Sequence, residues 1–295
     1  MCMENMLKNK KAIFLFVFPA FLIFFVIVLL PIFFSFQYSL LKWDGISKGI
    51  NVGFQNYKNL FINNSDGFLK SVGNSLLLAV LSVCIQLPIS LFFALVLARG
   101  VRGEKFFRTI YFVPVILATV AVGQLWMKIY NSDYGLLNVI LSKLGLKFLE
   151  NQWLANTKTV LWAVFIPILW QYIGYHMLLM YASAKSISPD IYEAARIDGA
   201  SETTIAFKIT IPLIKPILKV CVVFAVIGSF KAFDLIYVLT NGGPMHASEV
   251  PTTLMYTDIF NKYQYGYGSA MAIFIVVECF ICTILINKLF GKENN

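Results

Sequence analysis

An all-α integral membrane protein with six spanning helices is the fold class the sequence predicts, on three grounds. The first is charge. Of 295 residues, 59% are hydrophobic and only 13% are charged, whereas ordinary soluble domains carry about 25% charged residues. So few charges cannot cover a soluble fold of this length, and the mean hydropathy of +0.75 agrees. A water-soluble enzyme, a disordered chain and a disulfide-framed chain are thereby excluded. The second ground is length: at roughly 20 apolar residues per span, the chain holds about six spans with short connections. The third is its 27 Phe, 14 Tyr and 5 Trp, which suit lipid contact and interfacial belts.

The runs follow in order. The first extends from Ala12 to about Tyr38, after a short basic tail (1–11) with Lys8, Lys10 and Lys11. It is too long for a signal peptide, and Phe33-Phe34-Ser35-Phe36 offers no small-x-small cleavage site. The second covers about Ser71–Ala98 and the third Ile110–Ile129. The fourth covers Val160–Ala184, the fifth Pro216–Tyr237 and the sixth Ser269–Asn287, before a tail over 288–295. Prolines inside them (Pro19, Pro31, Pro88, Pro114, Pro167) require neighbouring helices or water to satisfy the freed backbone groups. That predicts a packed bundle around a pathway within 12–287. Gln86 and Gln124 are expected to hydrogen-bond between helices. Glu278, midway along the sixth run, is a costly intramembrane carboxylate. It reads either as a functional group or as an interface residue. Cys84, Cys221, Cys279 and Cys282 lie in or beside apolar runs and read as buried thiols. Cys279-x-x-Cys282 lacks the second pair a zinc site needs.

Lys and Arg set the expected orientation. With the amino terminus inside, inner segments hold 14 of the 24 basic residues in about 60 residues. The outer segments hold the other 10 in about 100. Both termini are therefore expected in the cytoplasm. The net charge of +9 does not point to nucleic acid, because no basic stripe with aromatic platforms accompanies it.

One expected cytoplasmic segment, 185–215, differs from its surroundings. Ser188 is a plausible helix N-cap, Pro189 sits at the first helical position, and Asp190 complements the helix dipole. Gly199 ends that helix in a position suited to a left-handed residue. Ser201 caps a second short helix leading to Pro212. Acids match or exceed bases between Pro189 and Ser201, and the centre is Ala194-Ala195. A headgroup-resting helix would instead carry a Lys/Arg-rich face with bulky anchors. The pattern favours docking to a protein.

Glu193-Ala194-Ala195, three residues, Gly199, nine residues, then Ile209-x-Ile211-Pro212 resembles the EAA loop of membrane subunits of binding-protein-dependent ABC importers. Ile211 stands where that pattern has Leu. The resemblance extends through Asn74-Ser75, Arg108-Thr-Ile-Tyr-Phe-Val-Pro114 and Asn131-Ser-Asp-Tyr-Gly-Leu-Leu-Asn138. It continues in Asp234-Leu-Ile-Tyr-Val-Leu-Thr-Asn-Gly-Gly-Pro244, the motif that is similar to the carbohydrate branch, of maltose, lactose and multiple-sugar type. It implies a type I ABC importer permease fold with a cytoplasmic coupling helix, placed in a bacterial inner membrane. It also implies a second homologous permease, two cytoplasmic ATPase subunits, an external solute-binding protein and an oligosaccharide or other sugar as cargo.

The chain has no G-x-x-x-x-G-K-[ST] loop, so it is expected to be no enzyme and to bind no cofactor; ATP belongs to the partner subunits. The resemblance assigns ATPase coupling to Glu193, Ala194, Ala195, Asp198, Gly199 and Pro212. For the substrate, Gln171, Tyr172 and Tyr175 share a helix face by their spacing. Counting without gaps from the EAA loop puts these three and Ser229 where maltose-type relatives line their sugar. Packing between helices is the competing reading for the tyrosines. The Asn241–Pro244 turn is expected on the surface that meets the solute-binding protein. Rival functions are a glycerol-phosphate or other polyol permease and an ion-coupled secondary transporter. The latter would want inverted repeats and paired membrane acids. A membrane-embedded enzyme would need converging acids, His or a metal cluster.

Overall fold

A computed structural model describes residues 10–64 and 66–291. Lys8, read above from the amino-terminal tail, and residues 292–295 of the carboxyl-terminal tail lie outside the described residues. The chain forms two compact units, one of 10–63 with 255–274 and the other of 64–254 with 275–291.

In the first unit, α1 (Ile13–Ser39) is long and apolar enough to span a bilayer, and none of its most apolar window is buried. A helix apolar on every face belongs in lipid or against another hydrophobic surface. It leads into a two-stranded hairpin, β1 (Leu41–Lys42) with β2 (Ile50–Asn51), pairing antiparallel. Asn56 Nδ2 donates to the carbonyls of Ser39 (2.8 Å) and Leu41 (2.9 Å), pinning the exit of α1 to the hairpin. Gly266 stands against the same turn: a Cβ there would lie 1.9 Å from the Leu41 oxygen, so only glycine fits.

The second unit holds α2 (Phe68–Ala98), α3 (Glu104–Ile116), α4 (Thr119–Ile129), α5 (Leu136–Lys143) and α6 (Val160–Lys185). After these come α7 (Pro189–Ile197), α8 (Glu202–Ile205), α9 (Lys215–Phe230) and α10 (Asp234–Thr240). A last helix, α11 (Tyr265–Leu289), runs on into this unit from the first. Among the described residues, five helices are long and apolar enough to cross a membrane, or six if the bent pair α3 and α4 counts as one span.

The third apolar run is thus not one straight helix. Its halves meet at 97°, with Leu117 and Ala118 extended between them. Pro114 lies in the last turn of α3, where it withdraws an N–H from the helix ladder and crowds the preceding turn. Hydrophobicity alone could not reveal this, because both sides of the break are apolar.

Two clusters hold the unit together. Leu78, Val122, Val164, Phe165 and Ile236 form one, and Leu87, Ala94, Met177, Met180 and Cys221 form the other. Closer approach comes from Gly174, where a Cβ would sit 1.8 Å from the Tyr111 carbonyl oxygen; α6 and α3 touch backbone to backbone there. Polar links cross the apolar interior. Gln86 Nε2 donates to Leu169 O (2.8 Å) and Ser90 Oγ to Ile173 O (2.9 Å), tying α2 to α6. Gln124, expected to do likewise, lies exposed instead, on the face of α4 opposite buried Val122 and Gly123.

Candidate functional site

The second unit encloses a cavity of about 420 Å³ among α2, α6 and the α9–α10 segment, with Thr119 of α4 at its edge. The helix break at 231–233 helps shape it. There the backbone leaves α9 after Phe230, and α10 resumes at Asp234, so Lys231 and Asp234 both border the space. All four residues expected at a substrate line this one cavity: Gln171, Tyr172 and Tyr175 from α6, and Ser229 from α9. The helical spacing of the first three brings them to one side of α6, as anticipated for i, i+3 and i, i+4 neighbours.

Their chemical states differ. Ser229 is already engaged, donating to Ala225 O (2.8 Å) and sharing a 3.1 Å contact with Ser82 Oγ. Gln171 is only 2% exposed, and its Oε1 has no hydrogen-bond partner. Tyr172 is exposed, and Tyr175 is half-buried with its ring 6.4 Å from that of Phe224. His176, which sequence reading passed over, borders the same space. It is 3% exposed and its Nδ1 is also without a partner. Burying an unpaired polar group is costly. Two such groups stand on one wall of the cavity, and the rings of Tyr172 and Tyr175 add flat apolar area to it. The available signal for His176 was its place one turn after Tyr172; Lys231 and Asp234 stand at the edges of the helix break at 231–233, across which helical spacing does not carry.

The second candidate site is the loop carrying the EAA-like pattern. Ser188 Oγ accepts from Asp190 N (3.4 Å) at the start of α7. At its end, Gly199 has φ +78°, Gly199 N donates to Arg196 O (3.0 Å) and Ala200 N to Ala195 O (2.9 Å). That pair of bonds closes a Schellman turn, which demands the left-handed residue glycine supplies. Ser201 Oγ then accepts from Thr204 N (3.2 Å) to open α8. Glu193, Ala194, Asp198 and Gly199 are exposed, as is Pro212, whereas Ala195 turns inward and is buried. Beside them Ile197 projects with 86% of its surface exposed, a bulky apolar contact the sequence pattern did not single out. Tyr192 anchors α7 from beneath, its hydroxyl reaching Ala184 O (3.4 Å).

A third ordered feature is the 241–250 turn. Asn241 and Gly242 adopt left-handed φ of +49° and +81°. Buried Asn74 Nδ2 donates to Ala247 O (3.2 Å) and Glu249 O (2.8 Å). The Glu249 carboxylate is buried beneath the turn, 2.6 Å from His246 Nδ1. Among the described residues no group of three or more His, Cys, Asp or Glu could hold a metal ion.

Residues 86–293 match the family model described as binding-protein-dependent transport system inner membrane component. The chain belongs to this family. A probable ABC transporter permease, YurN of Bacillus subtilis, is 36% identical over 97% of this permease and 99% of its own length. The trehalose/maltose transport system permease MalF of Thermococcus litoralis is 33% identical over 97% and 98%. The diacetylchitobiose uptake permease NgcF of Streptomyces coelicolor is 31% identical over 91% and 80%. In fold, the permease is similar to a chain in the crystal structure of a bacterial ABC transporter that imports the acidic polysaccharide alginate. The TM-score is 0.82, with 22% identity and full coverage of both chains. The protein is therefore a multi-pass membrane permease subunit of an ABC import complex.

Proposed function

We propose that this permease is one half of the membrane pathway of an ATP-driven sugar importer, a second and similar permease forming the other half. Two ATPase subunits dock from the cytoplasm on the loop around α7, and an external solute-binding protein delivers the cargo. Both chain ends lie in the cytoplasm, on the side where basic residues are densest. Gln171, Tyr172, Tyr175 and Ser229 line the route of the sugar, and Glu193, Ala194, Ala195, Asp198, Gly199 and Pro212 form the docking knob.

The meeting of the four substrate candidates at one cavity carries this reading. Relatives named for trehalose/maltose and diacetylchitobiose support a carbohydrate as cargo. Lys231 and Asp234 bring opposite charges to the cavity, which favours a neutral ligand. Closure of the ATPase pair moves α7 and the helices attached to it as a lever, shifting the pathway between inward- and outward-facing states.

The test is uptake by the reconstituted importer with a panel of labelled sugars. Tyr175→Ala and Gln171→Ala are each expected to raise KM about tenfold for the transported sugar, the worth of one lost hydrogen bond or ring contact. The ATPase should copurify in normal amount. Wild-type uptake in both variants would refute the assignment. A phosphorylated polyol as cargo is the second reading, favoured by Lys231 at the cavity. Saturable uptake of glycerol phosphate, abolished in Lys231→Gln, would select it.

A further inference from the structure

The two ends of the short connection between α2 and α3 each meet an acid-centred cluster that the transport reading does not use. The first centres on Glu202, the first residue of α8. Its Oε2 lies 3.6 Å from Arg99 Nε at the end of α2, and its Oε1 lies 3.2 Å from Arg196 Nε on α7. Arg99 Nη2 also donates to the Glu202 carbonyl (3.3 Å). The second centres on Glu104, the first residue of α3. Its Oε1 accepts from the Tyr181 hydroxyl, and its Oε2 lies 3.3 Å from Lys185 Nζ, both partners in the last turns of α6. Arg108 closes this cluster, its guanidinium 5.5 Å over the Tyr181 ring.

The two clusters share a design. Each acid stands at a helix start, where the macrodipole favours negative charge. Each uses its two carboxylate oxygens on two separate partners, and each joins the α2–α3 connection to a different part of the α6–α8 segment. Single exposed ion pairs contribute little, but carboxylates gripped on both oxygens hold a geometry. Arg99 and Glu104 are five residues apart, with left-handed Gly100 and Gly103 folding the chain between them. The connection is thus fastened at both ends.

We infer that residues 99–108 form a strap that makes α2 and α3 move with α7, and that Glu104 and Glu202 are its positioning residues. The inference rests on the reading of α7 as the ATPase-coupling helix. A basic loop held only by lipid headgroups is the competing account. It would leave the acids without a function and the loop free to slide past α8.

The whole importer, permeases and ATPases together, is the object to test. Spin labels at Arg102 and Thr203, which carry none of these contacts, are expected to give the same distance distribution in nucleotide-free and ADP–vanadate-trapped complexes. A second pair, at Lys158 and Asn241, should shift on trapping. In Glu104→Gln/Glu202→Gln that second shift should fall to less than half, while ATPase copurification is kept. A strap distance that changes on trapping in the otherwise unaltered permease overturns the inference, and so does an undiminished second shift in the double variant. The first of these measurements decides even if the double variant does not assemble. Failure of the ATPase to copurify with the unaltered permease would instead overturn the coupling reading itself.

Discussion

The cavity and the loop around α7 treat their polar groups in opposite ways. Along the cavity, buried polar atoms are left waiting: Gln171 Oε1 and His176 Nδ1 have no partner although both side chains are almost wholly enclosed. In the loop, the backbone is satisfied from within by the Ser188 cap, the Gly199 turn and the Ser201 cap. What it turns outward is bare surface, Ala194 and Ile197 above all. A site that receives a changing small ligand holds unmet hydrogen-bonding capacity for it. A site that meets a folded partner needs a rigid shape of its own, since any freedom left would have to be frozen on docking.

This contrast can be broken most forcefully at glycines. Gly174→Ala should cause the largest effect, because its Cβ would overlap the Tyr111 carbonyl and push α6 off α3. Overpacking of this kind costs about 1–3 kcal/mol or more. We expect a sharp drop in thermal stability and yield of the detergent-solubilised protein. An unchanged melting temperature would show that the helices do not meet as described. Gly199→Pro comes next. Proline cannot adopt φ +78°, so the docking turn is lost while the spans remain. Membrane insertion should be normal and ATPase copurification nearly abolished; Glu193→Lys should weaken copurification less. Full copurification in both would remove the docking role.

Gln171→Leu sharpens the other side of the comparison. Removing an unmet buried oxygen should leave stability equal or slightly higher, while KM for the transported sugar rises about tenfold. Lower stability with unaltered KM would make Gln171 a packing residue. Gly199→Ala should have a modest effect. The space around it is open, so the cost is only the left-handed backbone, about 1–2 kcal/mol, read as a partial loss of ATPase binding. Gly228→Ala should leave folding intact or slightly strengthened. No atom lies within 4 Å of its added Cβ, and a helix gains about 1 kcal/mol from the exchange. Yet the methyl enters the cavity that Gly228 lines, so only transport should change, as a raised KM.

The local features of this protein were legible in its residues. The long apolar runs, the Ser188 cap, the Gly199 stop and the Ser201 cap each depend on neighbours a few positions away, and hydropathy and capping preferences speak directly to them. The spacing of Gln171, Tyr172 and Tyr175 likewise announced a shared helix face. The bend between α3 and α4 was half legible: Pro114 signalled a weak point, but not that Leu117 and Ala118 would extend and turn the chain by 97°.

By itself, then, the sequence determined that this chain lives in a membrane, and where it carries a self-capped helix and glycine turn. Both follow from solvation of side chains and from hydrogen bonds within single turns. Tertiary structure alone decided the remainder. It brought Ser229 against Ser82 across 147 positions, set Glu202 in the grip of Arg99 across 103, and folded Asn74 under the 241–250 turn. Such contacts arise from how helices pack. No local preference encodes them, because their energy exists only once distant segments have already met.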